Sequence, residues 1–578
     1  MKRAAARALL YRMNRRMVFW VVAAVAGSLL VNGCTSAPWS ANSRAADPPA
    51  RRAVNQPANE KAGPQKLASA HAHYAAGVVL ELNNETDLAL EEFQRAAKED
   101  PDNETLILEV SRRLLQYKQP DKALEFLLAA TARGNATGEI YARLGSVYAR
   151  LGRNEEALTA NRTAVKKSPH FLIGYQNLFL SLLQAKQGEE ALKLLDEAGQ
   201  LVPADADFLI GLADLYQNYL LQFPTQREAV QAKALEMLVR TETLKPTDPQ
   251  TRLRLADGLY SLGDSRRAAT IYLSLLDQIE DLPLVRENVR AKLADIYLRG
   301  DDRKRAREQL EAIVRDDPSN GQAYYFLGNL AYDEKRWADA AELLKKTLLF
   351  NPNFEPAYYD LTAAQLAAND AAGALATLER ARGKFPQTFL TEYLAALAQG
   401  RQKNFAEAIK HFTAAEVIAK AGEPKRLTAE FYFEVAIAFE RKGDRAEAEK
   451  HFEQALGLKP EFPEAQNYLG YMWAERGEKL DRARDLIGKA LKAEPKSAAY
   501  LDSMGWVLFK LNQPQEALDY LLKAVSLNEG PDATLYDHLG DIYSALRQPD
   551  QAHEAWSKSL AVEASELVRK KMDSSKAP

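Results

Sequence analysis

The chain has little of the chemistry on which most enzymes and disulfide-stabilised domains depend. Its 578 residues include one cysteine, Cys34, so no disulfide can form within the chain. The seven histidines are scattered, and no phosphate-binding glycine loop, HExxH pair, GxSxG turn or CxxC pair is present. These absences disfavour an enzyme, and they predict no metal site and no cofactor.

Neither positive nor negative charge is in large excess. The net charge is −3, and the first 33 residues hold six Lys or Arg and no acid, which leaves −9 for the rest of the chain. A mildly acidic body is a poor match for the phosphates of DNA or RNA. We therefore expect no nucleic acid partner.

The sequence does contain one helical hairpin, copied many times. In Ala498–Leu527, apolar residues three and four apart indicate two short amphipathic helices, and Asn512 to Pro514 break the pattern between them. Gly505 and Ala517 are small residues where the two helices must approach closely. The alanine equivalent to Ala517 recurs mostly at intervals near 34 residues, at Ala89, Ala123, Ala157, Ala191, Ala234, Ala268, Ala306, Ala340, Ala374, Ala408, Ala448, Ala483, Ala517 and Ala552. The pattern predicts about fourteen hairpins between residues 70 and 563.

Two stretches carry a recognisable repeat pattern. They comprise Leu144, Gly145, Tyr148, Ala157, Ala164 and Pro169, and then Phe326, Leu327, Gly328, Ala340, Leu344 and Pro352. In spacing and residue type the chain resembles the tetratricopeptide repeat (TPR) family. The resemblance implies an all-α fold, a right-handed superhelical solenoid of helix-turn-helix repeats. It also implies that the first helix of each repeat lines a concave groove for other proteins.

The N-terminus has the features of an export signal. A basic stretch ending at Arg16 precedes fifteen almost wholly apolar residues, Met17 to Val31, which are short for a membrane span. The ending Val-Asn-Gly-Cys resembles the lipobox of bacterial lipoproteins, which implies that residues 1–33 are removed and that Cys34 is lipidated. Thr35 follows, and the family rule for Gram-negative bacteria then implies an outer-membrane anchor facing the periplasm. Translation could begin at Met1 or at Met13.

Residues outside the regular repeat divide into three segments. Residues 34–69, rich in proline and alanine, are interpreted as a disordered tether. A nine-residue insertion near 218–232 lengthens the fifth hairpin, since the alanine interval there is 43. Residues 564–578 are predicted to form a polar cap and a frayed end.

Aromatic and polar side chains recur at the positions that the TPR resemblance assigns to the groove. Such rings suit an extended peptide, because they bury area at little cost in conformational entropy. The alternative is that these rings pack inside the solenoid. The predicted groove residues are Tyr325, Asn329, Tyr332, Tyr359, Tyr393, Phe433, Tyr471, Asp502, Trp506 and Phe509.

Acidic residues recur in the same register. Asp214, Asp257 and Asp295 occupy the ninth position of three consecutive repeats, and Glu430 and Glu434 follow further along. A line of carboxylates predicts basic or neutral partner segments, although the same acids could serve only for solubility.

These features together predict a non-enzymatic, membrane-anchored scaffold or adaptor for other proteins. The plan is similar to that of proteobacterial TPR lipoproteins that present partners to an envelope protease, so the expected partners include such a protease or its substrates. Assembly or secretion of outer-membrane proteins or exopolysaccharide is the alternative. Another class is a subunit of an envelope enzyme complex, which would depend on His538 or Asp541.

Overall fold

The computed structural model describes residues 63–574, in which α-helices and two short 3-10 helices are the only regular elements. The predicted signal peptide, Cys34 and the tether up to residue 62 lie outside this range. Residues 64–69, predicted as part of the disordered tether, instead form the start of the first helix, Pro64–Leu82, so that bound of the tether is corrected. The described chain forms two compact units, residues 63–301 and residues 302–574. Within residues 63–574, no helix is both long enough and apolar enough to span a bilayer.

The first unit is built entirely from helices. A 3-10 helix at Pro224–Gln226 interrupts the series. The α-helices are α1 (Pro64–Leu82), α2 (Thr86–Glu99), α3 (Glu104–Gln116), α4 (Pro120–Thr131), α5 (Gly138–Arg150), α6 (Asn154–Lys167), α7 (Leu172–Gln184), α8 (Gly188–Gly199), α9 (Ala206–Gln222), α10 (Arg227–Thr243), α11 (Pro249–Ser261), α12 (Ser265–Leu275) and α13 (Pro283–Arg299).

The second unit also consists of α-helices and one 3-10 helix. Its 3-10 helix lies at Pro424–Arg426. The α-helices are α14 (Arg303–Asp316), α15 (Gly321–Asp333), α16 (Trp337–Phe350), α17 (Glu355–Ala367), α18 (Ala371–Arg382), α19 (Phe389–Arg401), α20 (Phe405–Gly422), α21 (Ala429–Lys442), α22 (Arg445–Leu458), α23 (Pro463–Arg476), α24 (Leu480–Ala493), α25 (Ala498–Lys510), α26 (Pro514–Leu527), α27 (Ala533–Ala545), α28 (Pro549–Val562) and α29 (Glu566–Ser574).

In chain order, α1 to α28 make up fourteen consecutive helix pairs, and the boundary between the two units falls in the seventh pair. Every one of the predicted repeat alanines lies on the second helix of its pair, and none is more than 1% exposed. A side chain no larger than a methyl group lets the two helices approach this closely while the interior stays densely packed. The all-α fold of about fourteen helix-turn-helix repeats is therefore confirmed.

Small residues on the first helices allow the same close approach from the other side. A Cβ added at Gly505 in α25 would lie 1.9 Å from the Leu521 side chain and 3.0 Å from the Ala517 carbonyl oxygen. Leu521 and Ala517 are on α26, the partner helix of the pair. The prediction that Gly505 and Ala517 mark a close contact between the two helices is therefore confirmed.

The turn within each pair has a common conformation. Every pair except the fifth places at least one residue there in the left-handed region, which favours asparagine and glycine, and the twelfth pair places Lys479 there as well. The other residues are Asn84, Lys118, Gly152, Lys186, Gly263, Asp301, Lys335, Asn369, Lys403, Gly443, Gly477, Asn512 and Arg547.

Two segments depart from the regular pair. In the fifth pair, α9 and α10 have 17 residues each, and the Phe223 ring stacks on Tyr219 beside the 3-10 turn, with ring centroids 4.5 Å apart. At the C-terminus, Val568 on α29 is buried against Trp556 of α28. Helix α29 thus covers the apolar edge of the fourteenth pair.

Candidate protein-binding face

The predicted groove residues lie on the first helices α15, α17, α19, α21, α23 and α25, all within residues 302–574. We call the side chains of these helices and of α27 the first-helix face. Most of the predicted rings are not open on this face, which corrects the expectation of a row of exposed aromatic rings. The buried members are Tyr325, Asn329, Tyr359, Tyr393, Phe433 and Trp506, while Tyr332, Tyr471, Asp502 and Phe509 are partly buried.

Their contacts show why the rings are buried. Phe433 lies among Phe452, Phe462 and Tyr468, with ring centroids 5.1 to 5.8 Å away. Tyr393 stacks on Phe389, with centroids 5.5 Å apart. Aromatic pairs at this separation stabilise a packed core. These rings hold neighbouring repeats together, as the alternative interpretation of the sequence expected.

Tyr332 and Tyr359 are also engaged by their own repeats. Tyr332 contacts Trp337 edge to face, with centroids 4.8 Å apart. The Tyr359 hydroxyl donates to Glu355 at 2.6 Å. Burial, together with this hydrogen bond, raises the pKa of Tyr359 to about 12, so the hydroxyl stays protonated at neutral pH.

A buried polar group joins the thirteenth and fourteenth pairs. Nδ1 of His538 on α27 donates to Oδ1 of Asp502 on α25 at 2.9 Å, and the imidazole stacks on Trp506 with centroids 3.9 Å apart. Tyr471 and Phe509 border this group, with ring centroids 6.1 Å from His538 and 5.2 Å from Trp506, respectively. Burial lowers the pKa of His538, but the Asp502 carboxylate and the nearby acids outweigh it and raise the pKa.

Asp537 and Asp541, on the same helix as His538, both form ion pairs with Lys571. Nζ of Lys571 on α29 lies 2.8 Å from the Asp537 carboxylate and 2.7 Å from that of Asp541. Nε1 of Trp556 also donates to Asp541, at 3.2 Å. His538 and Asp541, on which an enzyme-subunit function would depend, are therefore held by ring stacking and by ion pairs within the protein.

The three predicted acidic groove residues, all in the first unit, have cationic partners within the protein. Nζ of Lys292 lies 2.7 Å from Oδ1 of Asp257, and Nε of Arg299 lies 2.8 Å from Oδ2 of Asp295. Asp214 lies 3.7 Å from Arg254, the longest of the three separations. Each of the three carboxylates thus has a cation of the protein beside it, and binding of basic or neutral segments by these acids stays a prediction.

Two other carboxylates on the first-helix face differ, Asp360 on α17 and Glu434 on α21. Both are partly exposed, and neither has an ion pair within residues 63–574. Burial among dense protein atoms raises the pKa of Asp360 to about 6, although hydrogen bonding from Tyr325 and the nearby Asn329 amide lowers it. Burial likewise raises the pKa of Glu434 to about 7, against the lowering effect of the Arg401 charge.

Asp360 and Glu434 occupy the same position within their repeats as His538 does in the fourteenth. Asp360 precedes Ala374 by the same offset that separates Glu434 from Ala448 and His538 from Ala552. A residue at this position meets the first helix of the preceding repeat, as when Tyr325 donates to Asp360 at 2.7 Å and His538 to Asp502. Asp360 was missing from the predicted site. An acid at this offset would have been the sequence signal.

No group of three or more His, Cys, Asp or Glu side chains able to hold a metal ion occurs in the described part of the chain. The predicted lipidation site, Cys34, falls outside it. The described residues therefore present packed repeats, internal ion pairs and two half-buried acids that have no cationic nitrogen within 4 Å, although the Arg401 charge acts on Glu434.

Comparison with known proteins gives related sequences in bacteria. The TPR repeat-containing protein PA4667 of Pseudomonas aeruginosa is 32% identical over 225 residues, 38% of this chain. The type IV pilus assembly protein PilF of the same organism is 26% identical over 131 residues, 22% of this chain. The matched segments span 36% and 51% of the lengths of these relatives.

Among solved structures, the APC/C hetero-tetramer Cut9-Hcn1 covers 81% of this chain and 95% of its own, at 15% identity and a TM-score of 0.38. Family models described as tetratricopeptide repeat match residues 51–104, 112–170, 291–354, 331–400, 387–461 and 476–534. These ranges cover more than half of the chain and agree with the helix pairs. The chain belongs to the tetratricopeptide repeat family, whose repeats mediate contacts between proteins.

Proposed function

We propose that this protein is a lipid-anchored scaffold that holds partner proteins against its TPR helices in the bacterial cell envelope. The helix pairs support the scaffold, because each buries its apolar stripe against its neighbours and leaves the first-helix face for a partner. The single observation that carries this proposal is the unbroken series of fourteen helix pairs. It leaves only α29 after the last pair among the described residues.

The anchor rests on the N-terminal sequence. Cys34 directly follows a basic and then an apolar stretch, as in a lipoprotein signal, and residues 35–62 would serve as the tether. We place the lipid in the outer membrane, with the repeats in the periplasm, since Thr35 and not an acid follows the cysteine. One acylated residue with a flexible tether would let the repeats reach partners in solution or on the membrane.

Two roles are compatible with such a scaffold. One is presentation of partners to an envelope protease. The other is assembly of an envelope structure, which is favoured by the 26% identity to a protein named for type IV pilus assembly. A subunit role in an envelope enzyme complex is disfavoured, because His538 and Asp541 already have partners within the protein.

The test of the scaffold is site-directed photocrosslinking in the cells that make the protein. A photoreactive amino acid at Arg401, exposed on the first-helix face, is expected to crosslink to a defined partner. The same group at Glu379, exposed on the second helix α18, is the matched control. Adducts of equal yield and identity at both positions, or no adduct at either, would contradict the proposal.

Partner turnover then separates the two roles. In cells without the scaffold, a partner normally presented for proteolysis is expected to live longer. A partner that needs the scaffold for assembly is instead expected to keep its half-life and to lose its assembled form. Pulse-chase labelling and native electrophoresis of the crosslinked partner measure both quantities.

A further inference from the structure

We infer that two copies of this protein associate head to head, through an exposed apolar face of their first helices, α1. This inference goes beyond the proposed scaffold, because its partner is a second copy and its surface is not the first-helix face. Val79 is 57% exposed and Leu82 78% exposed, although both side chains are apolar. We call the exposed apolar row of α1 the N-terminal seam, and its residues are Ala68, Ala72, Ala75, Val79 and Leu82.

The repeat register shows that the positions of this seam are buried in interior repeats. Ala72, Ala75 and Val79 precede the repeat alanine Ala89 by 17, 14 and 10 residues. At these offsets in the thirteenth and fourteenth pairs, the residues are at most 5% exposed, and they are Tyr500, Ser503, Val507, Leu535, His538 and Ile542. The same positions of α1 are exposed because no helix pair precedes α1 within residues 63–574.

In interior repeats, the preceding helix pair covers these positions. Helix α25 packs against both α23 and α24, the two helices of the twelfth pair. His538, at the offset of Ala75, donates to Asp502 on the preceding first helix. Asn177, at the same offset, donates its side-chain amide to the backbone carbonyl of Ala142 on the first helix of the third pair. The N-terminal seam therefore has the form of a surface that receives another helix.

The spacing and composition of the seam also favour a helix as its occupant. Its five residues are separated by four, three, four and three positions, the heptad spacing of helices that pair side by side. Between Leu67 and Leu82, no exposed residue of α1 is Lys, Arg, Asp or Glu. A helix that lies in a lipid surface carries larger apolar residues on one face and basic residues on the other. The alanine-rich seam is a poor match for lipid and a good match for a second helix.

A second copy suits this seam better than the chain that precedes α1. Residues 35–62 contain four prolines, six charged residues and only two large apolar residues, Trp39 and Val54. Such a composition supplies little apolar surface to cover five seam positions. A second α1, placed antiparallel to the first, brings an identical seam, so that each copy covers the other.

The last helix of the described chain explains why the contact is head to head. Helix α29 covers the fourteenth pair, with Val568 buried against Trp556. Its exposed charged residues are Glu566, Arg569, Lys570 and Asp573. Burying such charges against an apolar seam is costly, so α29 opposes stacking of one copy's last pair on another copy's α1. Two seams related by a two-fold axis leave no seam open, and the association stops at a dimer.

The size of the seam sets the strength of the contact. Helix α1 has 19 residues. It is about 28 Å long, and a contact strip about 10 Å wide buries roughly 600 Å² over the two copies. Stable complexes usually bury about 1,200 Å² or more, so this contact is weak and reversible in solution. The lipid anchor of the proposed function would hold two copies on one membrane and raise their effective concentration, although the contact itself does not depend on the anchor.

The first experiment is photocrosslinking in cells that make two versions of the full chain, each with a different epitope tag. A photoreactive amino acid at Val79 is expected to give an adduct that carries both tags and has twice the mass of the chain. The same group at Val417 is the matched control, because Val417 is a valine on α20 that is 63% exposed. Little or no adduct with both tags is expected at Val417.

The second experiment is sedimentation velocity of the purified full chain over a range of concentrations. The chain carries Cys34→Ser, so that no lipid draws two copies into one micelle. The sedimentation coefficient is expected to rise with concentration. Val79→Asp is expected to weaken self-association about tenfold or more, because the symmetric contact then buries two unpaired charges. Val417→Asp, the same change at a similarly exposed position, is expected to sediment like the unchanged protein.

Several results would overturn the inference: no adduct with both tags at Val79, an equal yield of that adduct at Val417, or a sedimentation coefficient that is independent of concentration. A protein that stays monomeric and melts at a lower temperature with Val79→Asp would instead assign the seam to residues 35–62. If Val79 does not link two copies while Arg401 still captures a partner, the scaffold stands without the dimer. If Val79 links two copies and Arg401 captures nothing, the dimer stands and the scaffold falls.

Discussion

Nδ1 of His538 lies 2.9 Å from Oδ1 of Asp502, a residue on the first helix of the preceding repeat, and the imidazole stacks on the Trp506 ring. This buried contact joins the first helices of two consecutive pairs, α25 and α27, which are separated in the chain by α26. Because a charged histidine can bond to a carboxylate and stack on an indole, it couples repeat packing to pH.

The first prediction concerns this coupling. The folded-state pKa of His538 is raised, so its stabilising contribution is fully present below the unfolded pKa and is lost as pH rises through the folded pKa. His538→Gln is therefore expected to lower the melting temperature more at pH 5 than at pH 9. Thermal scans across that range measure the difference.

The exposed His170 provides the control for this experiment. His170→Gln should shift the melting temperature little at any pH. A His538→Gln deficit that is constant from pH 5 to pH 9 would show that only packing of the ring, and not its charge, stabilises the contact.

The second prediction concerns Glu434. Burial raises its pKa to about 7, so ionisation costs folding free energy as pH rises from the unfolded value towards 7. Glu434→Gln should stabilise the isolated protein by about 1–2 kcal/mol at pH 8, after allowance for solvent access, and by almost nothing at pH 4. Urea denaturation at both pH values measures this gain, with Glu379→Gln as the exposed control. An unchanged or lower stability at pH 8 would contradict it.

The third prediction concerns helix contact within a repeat. Gly505→Ala would place a methyl group 1.9 Å from the Leu521 side chain, and we expect a loss of about 1–3 kcal/mol from overpacking. Gly457→Ala is the matched control, since nothing lies within 4 Å of its added Cβ in α22. There the lower backbone entropy of alanine in the unfolded chain should give a small gain. Equal effects of the two substitutions on the urea midpoint would contradict this account.

The fourth prediction concerns the anchor. Cys34→Ser should release the protein from the membrane fraction and abolish incorporation of labelled palmitate. Thr35→Asp should keep the lipid and shift the protein from the outer to the inner membrane. Sucrose-gradient fractionation and immunoblotting follow both variants. Unchanged membrane association of Cys34→Ser, without lipid label, would contradict lipidation.

The register of the repeats could be read from the sequence because it depends on local residue size. A position where two helices touch accepts only a small side chain, so alanine recurs there in every repeat. The same register gave a misleading picture of the aromatic residues. A ring on a first helix can face a partner or the next repeat, and Phe433 and Tyr393 lie within the core between repeats. Periodicity cannot separate these two environments.

The sequence by itself determined the all-α repeat fold, the number of helix pairs and their turns, since each follows from contacts within one or two neighbouring segments. Only the tertiary structure decided which charges are neutralised across repeats, because those ion pairs depend on side-chain geometry between helices that are distant in sequence. Asp257 is paired with Lys292 in the next repeat, whereas Glu434 has no such ion pair. Burial and the positions of the counter-charges, which no linear pattern records, produced that difference.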